Sequence, residues 1–217
     1  MLILLPPSEG KNEPVSGKVF TLRNLSFHGH LGSIRSSLIS TNLDLKRCRP
    51  AHEIYSGVLY QALDWKSLPV MAARRGEKSV VVISALFGAL RMSDVIPTYK
   101  LKISTSLWKN AVGNALEELD SDFVVDCRSS TYCGVWNPDP AKTVAVRVFQ
   151  IKNGKRSIIT HMSKKYRGEL TRYLLLEKVA PSTPAALKVV ASKHFTCELV
   201  KSEGKNPAYL DLLIKEG

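Results

Sequence analysis

Charged residues with complementary chemistry crowd into four short segments of this chain. They are Ser8, Glu9 and Lys11 in PPSEGK; Arg91 and Asp94 in FGALRMSD; Asp126, Arg128, Ser129 and Tyr132 in DCRSSTY; and Lys164, Lys165 and Arg167 in SKKYRGELTRYLL. Carboxylates beside anchored cations suit proton transfer on a phosphate compound, because the cations hold the anion while a carboxylate takes or gives the proton. On that reading Glu9, Asp94 and Asp126 are the candidate acid–base groups. Ser8, Lys11, Arg91, Arg128, Ser129, Tyr132, Ser163, Lys164, Lys165, Arg167, Gly168 and Arg172 are the candidate contacts to phosphate or nucleic acid.

Each segment also has a plainer reading. PPSEGK lacks the GxxxxGK[ST] spacing of a phosphate loop and reads equally as a polar turn. Arg91 and Asp94, three residues apart, form the kind of pair that locks a loop. Ser129 and Ser130 suit helix capping, and Tyr132 serves either to stack on a base or to pack in the core. In the fourth segment, Tyr166, Leu170, Tyr173 and Leu174 make one apolar stripe at about 100° per residue, with Lys164, Lys165 and Arg172 opposite. Positive charge in a first turn opposes the helix dipole unless an anion sits there. Ser163 then stands at the cap position and Gly168 leaves room for the anion; the alternative is a solvated basic face.

Other chemistries find no support. No Ser/His/Asp or Cys/His arrangement can be assembled, and His28 and His30 have no carboxylate neighbour to suggest a metal. The cysteines Cys48, Cys127, Cys133 and Cys197 show no CxxC spacing and read as buried thiols of a reducing compartment. No metal and no cofactor are expected.

What must position these residues is a sheet. Short apolar runs at 2–5, 79–86, 123–127, 144–151, 157–161, 195–200 and 210–214 read as strands. Helical spacing occupies 31–40, 52–65, 105–119, 163–178 and 183–193. The mixture predicts a single domain over 1–217, α/β or mixed α+β, with a central mixed sheet flanked by helices. Residues 12–50, polar and broken by Gly and Pro, read as a loop-rich or helical insertion. The four charged segments each follow a predicted strand, and ligands gather beyond the carboxyl ends of strands. The sequence therefore predicts that all four meet in one pocket.

A formal charge of +12 and a pI near 9.6 draw the protein to polyanions. The opening MLILLPP has neither a basic leader nor a long apolar run, and nothing approaches a membrane span. A cytoplasmic protein without membrane association is expected, and no obligate protein partner is inferred.

In order, LILLPPSEGK, YSGVLY, SALFGALRMSDVIPTYKLKIS, VVDCRSSTY and SKKYRGELTRYLL resemble the YaaA family, bacterial proteins associated with peroxide stress. The resemblance spans nearly the whole chain. It implies one mixed α/β domain of YaaA-like topology, a positively charged cleft and binding to DNA. It implies no defined reaction. Charge and resemblance lead to one functional expectation, a protein that binds nucleic acid or nucleotides through phosphate; the carboxylates among the cations lead to the other, an enzyme that modifies a nucleotide or nucleobase anchored by its phosphate.

Overall fold

In the computed structural model, which describes residues 1–39, 42–159 and 162–215, the apolar run Leu2–Leu5 forms β1, buried at every position. The proline pair that follows ends it, because neither ring can donate to a ladder. The chain continues through α1 (His28–Leu38), β2 (Arg49–Pro50), α2 (Ala51–Ile54), α3 (Val58–Leu63), α4 (Val70–Ser79), β3 (Val80–Ser84), β4 (Gly88–Leu90) and β5 (Val95–Ile96). Then come α5 (Thr105–Glu117), β6 (Val124–Asp126), α6 (Ser130–Cys133), β7 (Thr143–Lys152), β8 (Lys155–Ile158), α7 (Ser163–Leu176), α8 (Pro184–Ser192), β9 (Thr196–Val200) and β10 (Ala208–Lys215).

One mixed sheet runs β4-β3-β1-β6-β7-β10-β9, with β8 added against β7; β2 and β5 pair separately. The strands β3, β1, β6, β7 and β10 are parallel, whereas β4, β8 and β9 are antiparallel to their neighbours. Alternation along the central strands divides the core in two. Ile3, Leu5, Val80, Val82 and Val125 face Leu59 and Leu63 of α3 and Leu170 and Leu174 of α7. Leu2, Leu4, Val81, Ile83 and Val124 face Leu31 of α1 and Trp108, Val112 and Leu116 of α5. The chain is thus the single α/β domain with a helix-flanked mixed sheet that its sequence predicts.

Several elements differ from expectation, each for a local reason. The predicted helix over 52–65 breaks after Ile54, because residues 55–57 run extended beside 10–12: Ser56 N donates to Gly10 O at 3.1 Å and Asn12 N to Ile54 O at 2.8 Å. α4 was not foreseen, and its outer face exposes Val70 and Met71, which blurs the helical period. The predicted strands 144–151 and 157–161 are the arms of one hairpin, β7 and β8, turned by Asn153 and Gly154 at positive φ (51° and 72°). Asn-Gly is the pair that such a turn favours. Residues 160 and 161 of that second strand lie outside the described residues, as do residues 40 and 41 of the segment 12–50. That segment carries α1. Among the described residues no helix is long and apolar enough to cross a membrane.

Candidate functional site

From β1 the chain moves to β3 on one side, then crosses back to β6 on the other. The order therefore reverses at β1, and an open parallel sheet has its crevice where such a reversal separates the connections leaving adjacent strands. What leaves β1 is Pro6–Lys11, and what leaves β6 is Cys127–Tyr132. The two exits are tied at their base, where Cys127 N donates to Leu4 O at 2.9 Å.

On the β3 side of this reversal several hydroxyls gather. Tyr55 and Tyr99 share a hydrogen bond of 2.9 Å, Tyr99 and Ser84 one of 2.8 Å, and Tyr60 donates to Pro6 O at 2.7 Å. Burial pushes Tyr99 up to about 12 and Tyr55 and Tyr60 well above their ordinary range, so all three remain phenols. Lys11 reaches across this wall. Its Nζ donates to Ser8 O at 2.7 Å and lies 4.2 Å from the ring centre of Tyr99. Burial pulls the amine down to about 8, and the negative charge of Glu9 only partly offsets it.

On the β6 side Asp126 holds Arg128 bidentately, Nε to Oδ1 at 2.9 Å and Nη2 to Oδ2 at 2.7 Å, with the Arg128 N–H also on Oδ1. Arg128 is 4% exposed and its Nη1 donates to Tyr132 O at 3.2 Å. Such a pair fixes the guanidinium rigidly and occupies both carboxylate oxygens. Tyr132 is half-buried, its hydroxyl raised first by burial and then by Glu9.

The first half of α7 lies beside the β6 exit, with Arg167 near Cys127 and Cys133. Arg167 donates from Nη2 to Val146 O of β7 at 3.1 Å, while its Nε is shielded from solvent with no acceptor among the described residues. A screened N–H without a partner costs about 1–3 kcal/mol, which an incoming acceptor recovers. Ser8, by contrast, is committed: its buried Oγ accepts from Gly57 N at 2.7 Å. Ser129 flanks α6 without a side-chain capping bond, and Glu9 is exposed at the rim.

Three of the four charged segments therefore converge, and the fourth is divided. Ser84–Phe87 lies at the crevice, but β4 turns back and delivers Arg91 and Asp94 to the opposite end of β3. There Arg91 Nη1 donates to Lys78 O and Val80 O at 2.7 and 3.3 Å. Asp94, 6% exposed, accepts from Ser26 N, Ser26 Oγ and Arg91 N at 2.8–2.9 Å. The pair locks a loop.

Within α7 two expectations are corrected. Gly168 opens no space for an anion: a Cβ there would lie 2.1 Å from Leu59 O, so the glycine lets α7 press against α3. Arg172 points away from the crevice and closes the end of α3, donating from Nη1 to Leu63 O and Asp64 O at 3.0 and 2.8 Å. Ser163 is the first helical residue, not the cap, which falls at Met162 and makes no side-chain bond. Lys164 is half-buried, and Lys165 lies 3.7 Å from Glu169 one turn on. The Leu170 and Leu174 stripe is buried as expected, with Tyr166 and Tyr173 half-buried against Phe195.

Sequence reasoning missed the wall of Tyr55, Tyr60, Tyr99 and Ser84. Ser84 ending the otherwise apolar run VVVIS was the available signal. Cys127 and Cys133 adjoin Arg167, yet burial pushes Cys127 up to about 12 and Cys133 upward as well, so both stay thiols. Of the four cysteines Cys48 and Cys127 are buried, and Cys133 and Cys197 are half-buried. His30 pairs with Glu118 at 2.9 Å.

Residues 25–199 match the family model described as peroxide stress protein YaaA. The chain is 33% identical to a UPF0246 protein of Streptomyces coelicolor, over 100% of this chain and 99% of that one. It is 30% identical to a UPF0246 protein of Corynebacterium glutamicum, over 91% and 95% respectively, and 27% identical to one of Ruegeria pomeroyi, over 75% and 69%.

Proposed function

Because the chain belongs to the peroxide stress protein YaaA family, we propose that it binds nucleic acid, DNA by family resemblance, gripping phosphates at the crevice between β1 and β6. The observation that carries this reading is Arg167, whose screened Nε lacks an acceptor among the described residues while Arg128 and Lys11 stand on the adjoining strand exits. A phosphate oxygen is the acceptor that a guanidinium N–H in a basic crevice recruits. The charge of +12 supplies long-range attraction, and Lys164 and Lys165 extend the cationic rim along α7.

Binding of a duplex oligonucleotide measured against salt tests the proposal. Each neutralised phosphate releases counterions, so the logarithm of affinity falls with a slope of about −0.9 per contact. A slope near zero, or a steep slope unchanged in an Arg167→Gln variant, defeats it.

Lys11 favours a second reading, chemistry on the bound nucleic acid or nucleotide. A cation that only holds phosphate gains nothing from being pulled down to about 8, whereas a nucleophile or base does. Glu9 at the rim is the carboxylate free to move a proton in this reading; Asp126 serves to hold Arg128. Turnover of a nucleotide or damaged duplex that Glu9→Gln abolishes, with binding retained, is the test.

A further inference from the structure

We propose that Lys11 is an amine nucleophile that condenses with the aldehyde of a phosphate-bearing sugar held at the β1–β6 crevice. The inference rests on the phosphate-binding reading of that crevice and names what is bound there. The ordinary uses of a lysine fit Lys11 poorly. Among the described residues no carboxylate lies within ion-pairing distance of its Nζ, which donates instead to the neutral Ser8 O at 2.7 Å. Its backbone is fixed, with Lys11 bridged to Tyr55 and flanked by the Ser56–Gly10 and Asn12–Ile54 bonds. The amine is thus held in one place, over the Tyr99 ring at 4.2 Å and near Tyr55 at 5.8 Å.

Placement of that kind suits attack on a carbonyl. With the amine pulled down to about 8, roughly one molecule in ten carries it neutral at pH 7, against a few in ten thousand for an ordinary lysine. The nitrogen lone pair adds to the aldehyde carbon and gives a carbinolamine. The carbon–oxygen bond then breaks, and the oxygen leaves as water with the two amine hydrogens, forming the imine. No oxidant or reductant takes part. Glu9, close enough to perturb both Lys11 and Tyr132, relays the proton to the departing oxygen, and the guanidinium of Arg167 holds the phosphate. An aldehyde with a phosphate beside it has two sources: the ring-opened sugar of a polynucleotide position that has lost its base, and a free aldose phosphate.

The test is reductive trapping. The full chain is incubated with a duplex containing one abasic position, with the same duplex intact, and with 2-deoxyribose 5-phosphate, each with cyanoborohydride. Adducts are located by peptide mass spectrometry. The expected result is a single adduct on Lys11, lost about tenfold or more in Lys11→Arg and retained in Lys193→Gln, whose rate levels off above about pH 8. Trapping on the abasic duplex identifies the polynucleotide source; trapping on the sugar phosphate alone identifies the free one. No adduct, or adducts spread over other lysines, overturns the proposal. Binding of the intact duplex is read separately by mobility shift. If it persists without trapping, only this inference falls; if it is absent while the sugar phosphate still traps, the nucleic-acid reading falls instead.

Discussion

The two ends of the sheet each carry an Arg–Asp pair, and the pairs do different things. At the amino end of β3, Asp94 gathers three donors from two separate segments, and Arg91 is spent on the Lys78 and Val80 carbonyls. At the carboxyl end of β6, Asp126 holds Arg128, whose Nη1 is spent on Tyr132 O, and Arg167 of α7 lies nearby. Charge and residue type are the same at both ends. What differs is the neighbour: beside the Arg128 pair, Arg167 keeps a screened Nε with no acceptor among the described residues, whereas Arg91 is spent on backbone carbonyls, and it is that unmatched donor, not the pair itself, that a ligand can use.

The sharpest way to break that contrast is at Gly168, on the crevice side. A methyl group 2.1 Å from Leu59 O must push α7 off α3. Gly168→Ala is expected to cost about 3 kcal/mol by overpacking, lowering Tm by about 6–12 °C and displacing Arg167 so that duplex binding falls as well. Gly29, with nothing within 4 Å on α1, is the control, and its replacement by Ala should be neutral or stabilising. At the amino end, Asp94→Asn turns an amide toward donors and should cost about 2 kcal/mol in urea unfolding, with binding per folded molecule unchanged. If Asp94→Asn abolished binding or turnover without destabilising the fold, the two ends would not be distinct.

Much of this was legible in the sequence. The sheet follows from LILL, SVVVIS and FVVD, whose runs of Val, Ile and Leu are buried on both faces, and α5, α7 and α8 follow from their apolar spacing. The convergence of PPSEGK, DCRSSTY and SKKYRG follows from strands ending before polar segments. What could not be read was direction. FGALRMSD follows a strand, but Gly88 at positive φ turns it into β4, antiparallel to β3, and three residues of return carry Arg91 away from the crevice. Gly168 and Arg172 misled for a related reason. A helical period gives the face a residue occupies, not the neighbour across it, and that neighbour was α3. The tyrosine wall was hidden because Tyr55, Tyr60 and Tyr99 come from elements far apart in the chain.

A binding contrast sharpens the comparison at the next scale. Arg167→Gln should weaken duplex affinity about tenfold and reduce the salt slope by about one contact. Arg91→Gln removes the same charge from the other end and should leave both quantities unchanged once stability is matched. Equal losses from the two variants would mean that the protein binds through its net charge alone, with no preferred end.

The smallest effect concerns Lys11 and is seen only by difference. The folded chain holds this amine at about 8 against an ordinary 10.5, so between those values the unfolded chain binds the extra proton. Stability therefore carries a penalty that is complete below pH 8 and is relieved as pH rises toward 10.5. Water reaching the partly exposed amine reduces its size. The thiols of Cys48 and Cys127 and the phenols of Tyr55, Tyr60 and Tyr99 act oppositely, since their raised values make the folded chain the better proton binder above about pH 9. Subtracting the urea midpoints of Lys11→Met from those of the unsubstituted chain cancels these common contributions. The difference should climb from pH 8 to 10.5 and be flat below. A flat difference throughout would mean that the amine stays charged over the Tyr99 ring like any surface lysine, and the crevice would then differ from the amino end in its arginines only.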